Sequence, residues 1–96
     1  MSERTTASLA ALDVLLARLP ALPDNAERRA LIDDAEALRR AVAAFHMEAI
    51  RFRMHSVDRE IRALGEDVAA REAFEHVRHE LETAGFHTRS HAAPGT

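Results

Sequence analysis

The stretch NAERRALIDDAEALRRAVAAFHMEAIRFRMHSVDREIRAL, residues 25–64, decides the fold, because it contains neither glycine nor proline. Asp24 and Glu27, three residues apart, form a variant of the capping box that starts a helix. The stretch therefore predicts one continuous helix over about 25–64, roughly 60 Å long at 1.5 Å per residue.

Apolar residues in this stretch recur every three or four positions, as expected for the buried face of a helix. One stripe comprises Leu31, Ala35, Leu38, Val42, Phe45, Ala49 and Phe52. A second comprises Met47, Ile50, Met54, Val57, Ile61 and Leu64. The two stripes overlap between positions 47 and 52, where the apolar face steps sideways around the predicted helix.

Two shorter helices are predicted on either side, at about 6–19 and about 66–84. Prolines at 20 and 23 separate the first from the long helix, and glycines at 65 and 85 mark the ends of the long helix and of the last one. Their apolar stripes are Leu9, Leu12, Leu16 and Leu19, and then Ala70, Phe74, Val77, Leu81 and Ala84. We expect a single helical domain over 1–86, followed by a flexible tail over 87–96.

These lengths predict an all-α homodimer, because two short helices laid along one long helix cannot enclose a core. Two long helices would cross antiparallel about a two-fold axis, giving a dimeric antiparallel four-helix bundle. The alternative is a compact three-helix monomer in which the long helix breaks near His46 or Ser56. The predicted interface comprises Phe45, Met47, Ala49, Ile50, Phe52, Met54, Val57 and Ile61.

A short helix, a long helix and a third helix in a dimeric bundle resemble, in topology alone, the copper- and nickel-sensing repressors of the CsoR type. Those proteins bind metal through a Cys–His–Cys or His-rich pattern. This chain has no cysteine and no histidine near its N-terminus, so no ligand residue corresponds.

Composition limits the remaining classes of function. The 96 residues carry 13 arginines, no lysine, 16 acids and a formal charge of −3. The absence of cysteine excludes disulfides, thiol catalysis and cysteine-ligated zinc. Asp13 and Arg18 interrupt the apolar segment 7–22, which argues against a signal peptide or a membrane span, so we expect a cytoplasmic protein.

Histidines on the last helix form a candidate metal site. Helical spacing places Glu72, His76, His79 and Glu80 on one face, where imidazole and carboxylate could bind zinc or another divalent transition metal. No His-Glu-x-x-His motif is present, and a solvated face of paired Glu and His explains the same residues. His46, at the edge of the first stripe, could likewise bind a ligand at the two-fold axis or lie at its rim.

Arginines of the long helix form a candidate anion site at Arg39, Arg40, Arg51 and Arg53. No aromatic residues interleave with them for base stacking, which disfavours nucleic acid, while an anionic ligand or an acidic protein surface fits equally well. The chain has no nucleophile motif and no glycine-rich phosphate loop, so no catalytic residue is assigned. The sequence therefore predicts a non-catalytic adaptor or regulatory accessory factor, a homodimer with a further protein as a candidate partner.

Overall fold

A computed structural model describes residues 3–88 and shows four helices in this part of the chain, with no strand. They are α1 (Thr6–Arg18), α2 (Ala26–Ala43), α3 (Met47–Ala63) and α4 (Val68–Thr83). Single turns of 3₁₀ helix precede α1 at Glu3–Thr5 and follow it at Leu19–Ala21. The all-helical class is confirmed.

The single long helix predicted over 25–64 is wrong, because the chain reverses at residues Ala44–His46. Phe45 takes a left-handed conformation, with φ of 57°. The N–H of Phe45 donates to the carbonyl of Val42 (3.1 Å), and the N–H of His46 donates to that of Ala41 (2.9 Å). This hydrogen-bond pattern is the Schellman motif, which glycine usually completes and phenylalanine completes here.

The sideways step between the two stripes gives the physical reason for this break. On a straight helix the stripes would face different directions, and one chain could not cover both. The reversal turns α3 back along α2, so that Leu38 and Val42 of the first stripe and Ile50 and Met54 of the second enter the same core. A three-residue connection between helices favours such antiparallel neighbours.

The core fills the space between two principal helix pairs, α2 with α3 and α1 with α4, and α1 also packs on α2. Its fully buried large side chains are Leu12, Leu15, Leu19, Leu31, Leu38, Val42, Ile50, Met54, Val57, Ile61, Phe74 and Leu81. The Cα radius of gyration is 12.7 Å, close to the value of about 12.5 Å expected for a compact domain of this length. One chain therefore covers its own core, and the predicted count of three helices gives way to four.

Local signals explain where the helices begin and end. Side chains of Asn25, His46 and Asp67 cap α2, α3 and α4 by accepting a hydrogen bond from a backbone N–H three residues later. The cap of α2 is thus Asn25, whereas the sequence pointed to its neighbour Asp24. Gly65 and Gly85, both left-handed, follow the last residues of α3 and α4.

Thr88 is packed against the domain, although the flexible tail was predicted to start at 87. Its side chain is buried, and its hydroxyl accepts from Arg78 Nη1 (3.2 Å) and donates to Glu82 Oε2 (3.1 Å). The packed structure therefore extends at least to residue 88, and the rest of the predicted tail, 89–96, lies outside the described residues.

Candidate interaction site

The most exposed aromatic side chain of the described residues is Phe52, on the outward face of α3. The chain has four phenylalanines and no other aromatic residue. Phe74 and Phe86 are buried, whereas Phe45 is 42% exposed and Phe52 is 60% exposed. An exposed phenylalanine forgoes the stabilisation of about 1.5–3 kcal/mol that burial of its ring would provide. Phe52 is therefore a surface apolar group available to a partner.

Arg53 holds the Phe52 ring from one side. Its guanidinium lies 5.1 Å from the centre of that ring, within the range of a cation–π contact. The same guanidinium donates from Nη1 to Asp34 Oδ1 of α2 at 2.6 Å. Asp34 is largely buried, so it fixes Arg53 in place, and Arg53 in turn restricts the orientation of the exposed ring.

A second carboxyl group, that of Glu60, lies beside Asp34 between α2 and α3. Its Oε1 atom is buried without a hydrogen-bond partner. Burial raises the pKa of Glu60 most, and the hydrogen bond and charge of Asp34 raise it further, to about 8. The nearby Arg59 and Arg53 lower it, but less. At neutral pH Glu60 is therefore largely protonated, and α3 carries more positive charge than its sequence suggests.

The four arginines of the predicted anion site are divided between two helices and differ in their pairing. Arg39 forms an ion pair with Asp13 of α1 (2.8 Å), and this hydrogen bond lowers the pKa of the Asp13 carboxyl. Arg53 is paired with Asp34, as described above. Arg40 and Arg51 form no ion pair within residues 3–88, and the Nε of Arg51 is buried without a partner. Of the four residues of the predicted anion site, Arg40 and Arg51 are thus the two without a carboxylate partner among residues 3–88.

Arg59 adds one more unpaired cation, one that the sequence analysis did not select. It lies on α3 one heptad after Phe52, is exposed, and forms no ion pair with any described residue. Arg51, immediately before Phe52 in the chain, forms no ion pair with a described residue either, although its side chain leaves the helix in a different direction from Phe52. The Phe52 surface, defined here as Phe52 with Arg51, Arg53 and Arg59, is therefore apolar at its centre and has three arginines around it, with the exposed carboxylate of Glu48 one turn before the ring.

The predicted dimer interface falls into three groups by burial. Ile50, Met54, Val57 and Ile61 are buried in the core of the single chain. Met47 and Ala49 are half-buried against that core. Only Phe45 and Phe52 remain largely exposed, so the surface open to a partner is smaller than the sequence predicted.

The predicted metal residues lie on the outward side of α4. His76 Nε2 and Glu80 Oε2 are 3.2 Å apart, while Glu72 and His79 are exposed. Among residues 3–88, no group of three or more His, Asp or Glu side chains converges to hold a metal ion. The histidine–glutamate pair is the only part of that predicted set with a direct contact among the described residues.

Several polar residues that organise the fold were missed by sequence reasoning, namely Asp34, Glu60, Arg71 and Arg78. Asp34 and Glu60 are distant on a straight helix of 40 residues, and only the turn at Ala44–His46 brings them together. Their signal in the sequence was their position beside the two apolar stripes, at the edge of the face that becomes buried.

No sequence model of a protein family, no curated protein and no solved structure matches this chain. No helix within residues 3–88 is both long and apolar enough to cross a membrane. The Phe52 surface is accordingly characterised by its own residues: an exposed ring, the Arg53 guanidinium over it that also pairs with Asp34, and two further arginines of α3 without an ion pair in the described part of the chain.

Proposed function

We propose that this protein is a small non-catalytic interaction factor, an adaptor or regulatory accessory protein, that binds a partner through the Phe52 surface. The observation that carries this proposal is the 60% exposure of Phe52 in a chain that has only four aromatic residues. Aromatic residues and arginine are enriched at the centres of protein interfaces, where a few residues provide most of the binding energy.

The ion pair beneath the ring supports the proposal through its effect on entropy. A side chain that is fixed before binding loses less conformational freedom when the complex forms. Asp34 pairs with Arg53, and Arg53 lies over Phe52, so the ring has a favoured orientation in the free protein. The exposed ring contributes little to the stability of the isolated domain. Its preorganisation therefore matters mainly for binding.

The charge around the ring favours an acidic partner surface. Arg51 and Arg59 have no carboxylate partner among the described residues, and the raised pKa of Glu60 removes a negative charge from the same helix near neutral pH. We therefore expect a partner with an apolar pocket bordered by Asp or Glu, and an association rate that falls as salt rises.

Homodimerisation stays a proposal, and it would now have to proceed without an uncovered core. Because each chain covers its own core, two copies would associate either through exposed surface or by exchanging helices. The same arginines that favour an acidic partner would repel one another if two Phe52 surfaces met face to face. Direct pairing of these surfaces is therefore disfavoured, and helix exchange is the route that the turn between α2 and α3 supports.

A photocrosslinking experiment tests the proposed surface. The photoreactive residue p-benzoylphenylalanine is placed at position 52 in cells, and, as a matched control, at Val68, which is 69% exposed at the start of α4. We expect a discrete crosslinked species from position 52 only, which Arg51→Glu with Arg59→Glu abolishes while the circular dichroism of the domain is unchanged. Equal crosslinking at both positions, or a product insensitive to the charge reversal, would contradict the proposal.

A further inference from the structure

The turn between α2 and α3 is the one helix end of this type that lacks glycine. Three helices within residues 3–88 end in the same hydrogen-bond pattern, and at the other two the left-handed residue is Gly65 (φ 89°) or Gly85 (φ 98°). At the end of α2 it is Phe45, whose Cβ makes the left-handed conformation unfavourable. Glu66, the other left-handed residue with a side chain, directly follows Gly65. The α2–α3 turn is thus the strained connection of the bundle.

The residues around this turn favour a continuous helix. The segment Ala41–Ala44 is three alanines and a valine, Met47–Ala49 follows, and no glycine or proline occurs between Asn25 and Leu64. If Phe45 and His46, whose ψ is 89°, both became helical and the His46 cap on the N–H of Ala49 were released, α2 and α3 would join into one helix over residues 26–63, about 57 Å long. Local preference and the observed turn therefore oppose each other at Phe45.

Contacts from both ends of the chain hold the turn closed. The Phe45 ring lies 5.9 Å from that of Phe86, measured between centroids. The guanidinium of Arg4 lies over both rings, 5.8 Å from Phe45 and 4.8 Å from Phe86, and its Nε donates to the carbonyl of Ala84 at 2.7 Å. These contacts among Arg4, Phe45 and Phe86 offset the unfavourable backbone conformation.

Opening the turn within one chain would expose the apolar faces of α2 and α3 to water. Two copies that open the turn together can bury these faces against each other instead. In that case α3 and α4 of each copy pack on α1 and α2 of the other, so the α2–α3 and α1–α4 pairs form again between chains, while α1–α2 and α3–α4 stay within each chain. Only the turn itself changes. A short, strained connection between packed elements is the arrangement that favours such domain swapping.

We propose that two copies of this chain exchange α3 and α4, with Phe45 as the hinge, to form a dimer in which residues 26–63 are one continuous helix. The partner is a second copy of the same chain, and the interface is the existing core. This inference specifies the homodimer considered under the proposed function, but it rests on the conformation of Phe45 and does not depend on the Phe52 surface.

Two substitutions of the hinge residue test the exchange. Phe45→Gly and Phe45→Ala both remove the ring contacts with Phe86 and Arg4, but glycine accepts the left-handed turn and alanine favours the helix. We expect Phe45→Ala to dimerise with a dissociation constant about 100-fold lower than that of Phe45→Gly, about tenfold for each of the two hinges. Each protein is refolded at several concentrations, and its mass is measured by native mass spectrometry against the 10.7 kDa chain.

A distance measurement distinguishes exchange from association through the surface. Since the chain has no cysteine, spin labels can be attached to a variant that carries Ala30→Cys and Ala63→Cys, both exposed positions. An excess of unlabelled protein ensures that only the distance between the two labels of one chain is measured. The distance should be below about 25 Å in the monomer, where the two helices are antiparallel neighbours, and about 50 Å in an exchanged dimer.

The matched control is Glu66→Gly. It removes the steric penalty of the other left-handed residue that has a side chain, which lies outside the α2–α3 turn, so the monomer–dimer equilibrium should stay unchanged. A dimer in which the spin labels of one chain stay less than about 25 Å apart would overturn helix exchange. Equal dissociation constants for Phe45→Gly and Phe45→Ala would also overturn it. So would a Phe45→Ala protein that stays monomeric up to about 1 mM. The Phe52 surface is tested separately, because Arg51→Glu with Arg59→Glu should weaken partner crosslinking without changing this equilibrium.

Discussion

The two turns that flank α3 share one hydrogen-bond pattern but are stabilised differently. After α3, Gly65 adopts the left-handed conformation, and the carboxylate of Glu66 accepts from Arg71 Nε at 2.9 Å. After α2, Phe45 adopts it instead, and distant rings and a cation hold it. The first turn is therefore encoded by its own residues, whereas the second depends on contacts with both ends of the chain.

This difference shows what a glycine does and does not signal at the end of a helix. A glycine in a helical pattern is good evidence for a stop, since it accepts the left-handed conformation without a steric penalty. The lack of a glycine is weaker evidence for continuation, because tertiary packing can select the same turn at a residue that disfavours it. The sideways step of the apolar stripe was the better signal, since it shows which faces have to be covered.

Among substitutions that test the α3–α4 turn, removal of Arg71 should lower the free energy of unfolding most. Arg71 also donates from Nη1 to Asp58 (2.6 Å) and Glu75 (3.0 Å). Burial lowers the pKa of its guanidinium, but the hydrogen bonds to Glu66, Asp58 and Glu75 outweigh this and raise it. We expect Arg71→Met to lower the free energy of unfolding by about 2–3 kcal/mol, because the largely buried Asp58 loses a partner.

Urea denaturation at neutral pH measures this change, with Arg29→Met as the control. Arg29 is exposed and lies 3.9 Å from an exposed carboxylate of Asp24, so its removal should change stability by less than about 0.5 kcal/mol. Similar losses for the two variants would show that the Arg71 ion pairs do not stabilise the α3–α4 turn.

Substitution of Gly65 or Gly85 should cause the next largest loss of stability. A Cβ at Gly65 would meet no atom within 4 Å, so Gly65→Ala should cost only the backbone penalty of about 1–2 kcal/mol. A Cβ at Gly85 would lie 3.0 Å from Arg4 Nη2, so Gly85→Ala should carry the same backbone penalty and also shift the Arg4 guanidinium by a few tenths of an ångström. Thermal unfolding compares the two variants, and a Gly65→Ala protein as stable as the parent would contradict the left-handed turn.

The smallest effect concerns Glu60 and the pH dependence of the α2–α3 pair. Folded Glu60 holds its proton up to about pH 8, whereas its ordinary pKa is 4.5. Its contribution to stability is thus complete below about pH 4.5 and is lost as the pH rises towards 8. Since the carboxyl is partly exposed, we expect a loss of only about 1 kcal/mol.

Glu60→Gln should remove this dependence, because the amide stays neutral. Relative to the parent, the variant should gain stability progressively between pH 5 and pH 8 and then no further. Urea denaturation across that range measures the gain, and Asp33→Asn, at an exposed carboxylate on α2, is the control. A difference between Glu60→Gln and the parent that is constant with pH would contradict the raised pKa.

Much of the fold follows from local signals in the sequence. The apolar spacing places the outer helices within one or two residues of their observed bounds, and Gly65 and Gly85 mark the ends of α3 and α4. The sideways step of the apolar stripes signals that the chain turns after α2, but no glycine marks the residue. The cause of the left-handed turn at Phe45 itself is not local. It lies in the contacts of Phe45 with Phe86 and Arg4, which are distant in sequence.

The candidate site was harder to predict for the same reason. Phe52 was selected from the sequence, but as an interface residue of a long helix, together with Ile50 and Met54, which the core now buries. Arg53 was selected as a free cation, whereas Asp34 pairs with it across the hairpin. Which residues of a stripe face inward is decided by the direction of the chain after the turn, and this cannot be read from spacing alone.

The most direct test of this account is the backbone conformation of residues 41–49 in the dilute, monomeric wild-type protein. Carbon-13 chemical shifts of the Cα atoms, measured by NMR at a concentration where native mass spectrometry shows only the single chain, report helix residue by residue. The account predicts helical shifts that stop at Ala43 and resume at Met47, with a left-handed value at Phe45. Helical shifts that continue without interruption from Ala41 to Ala49 in the monomer would contradict it.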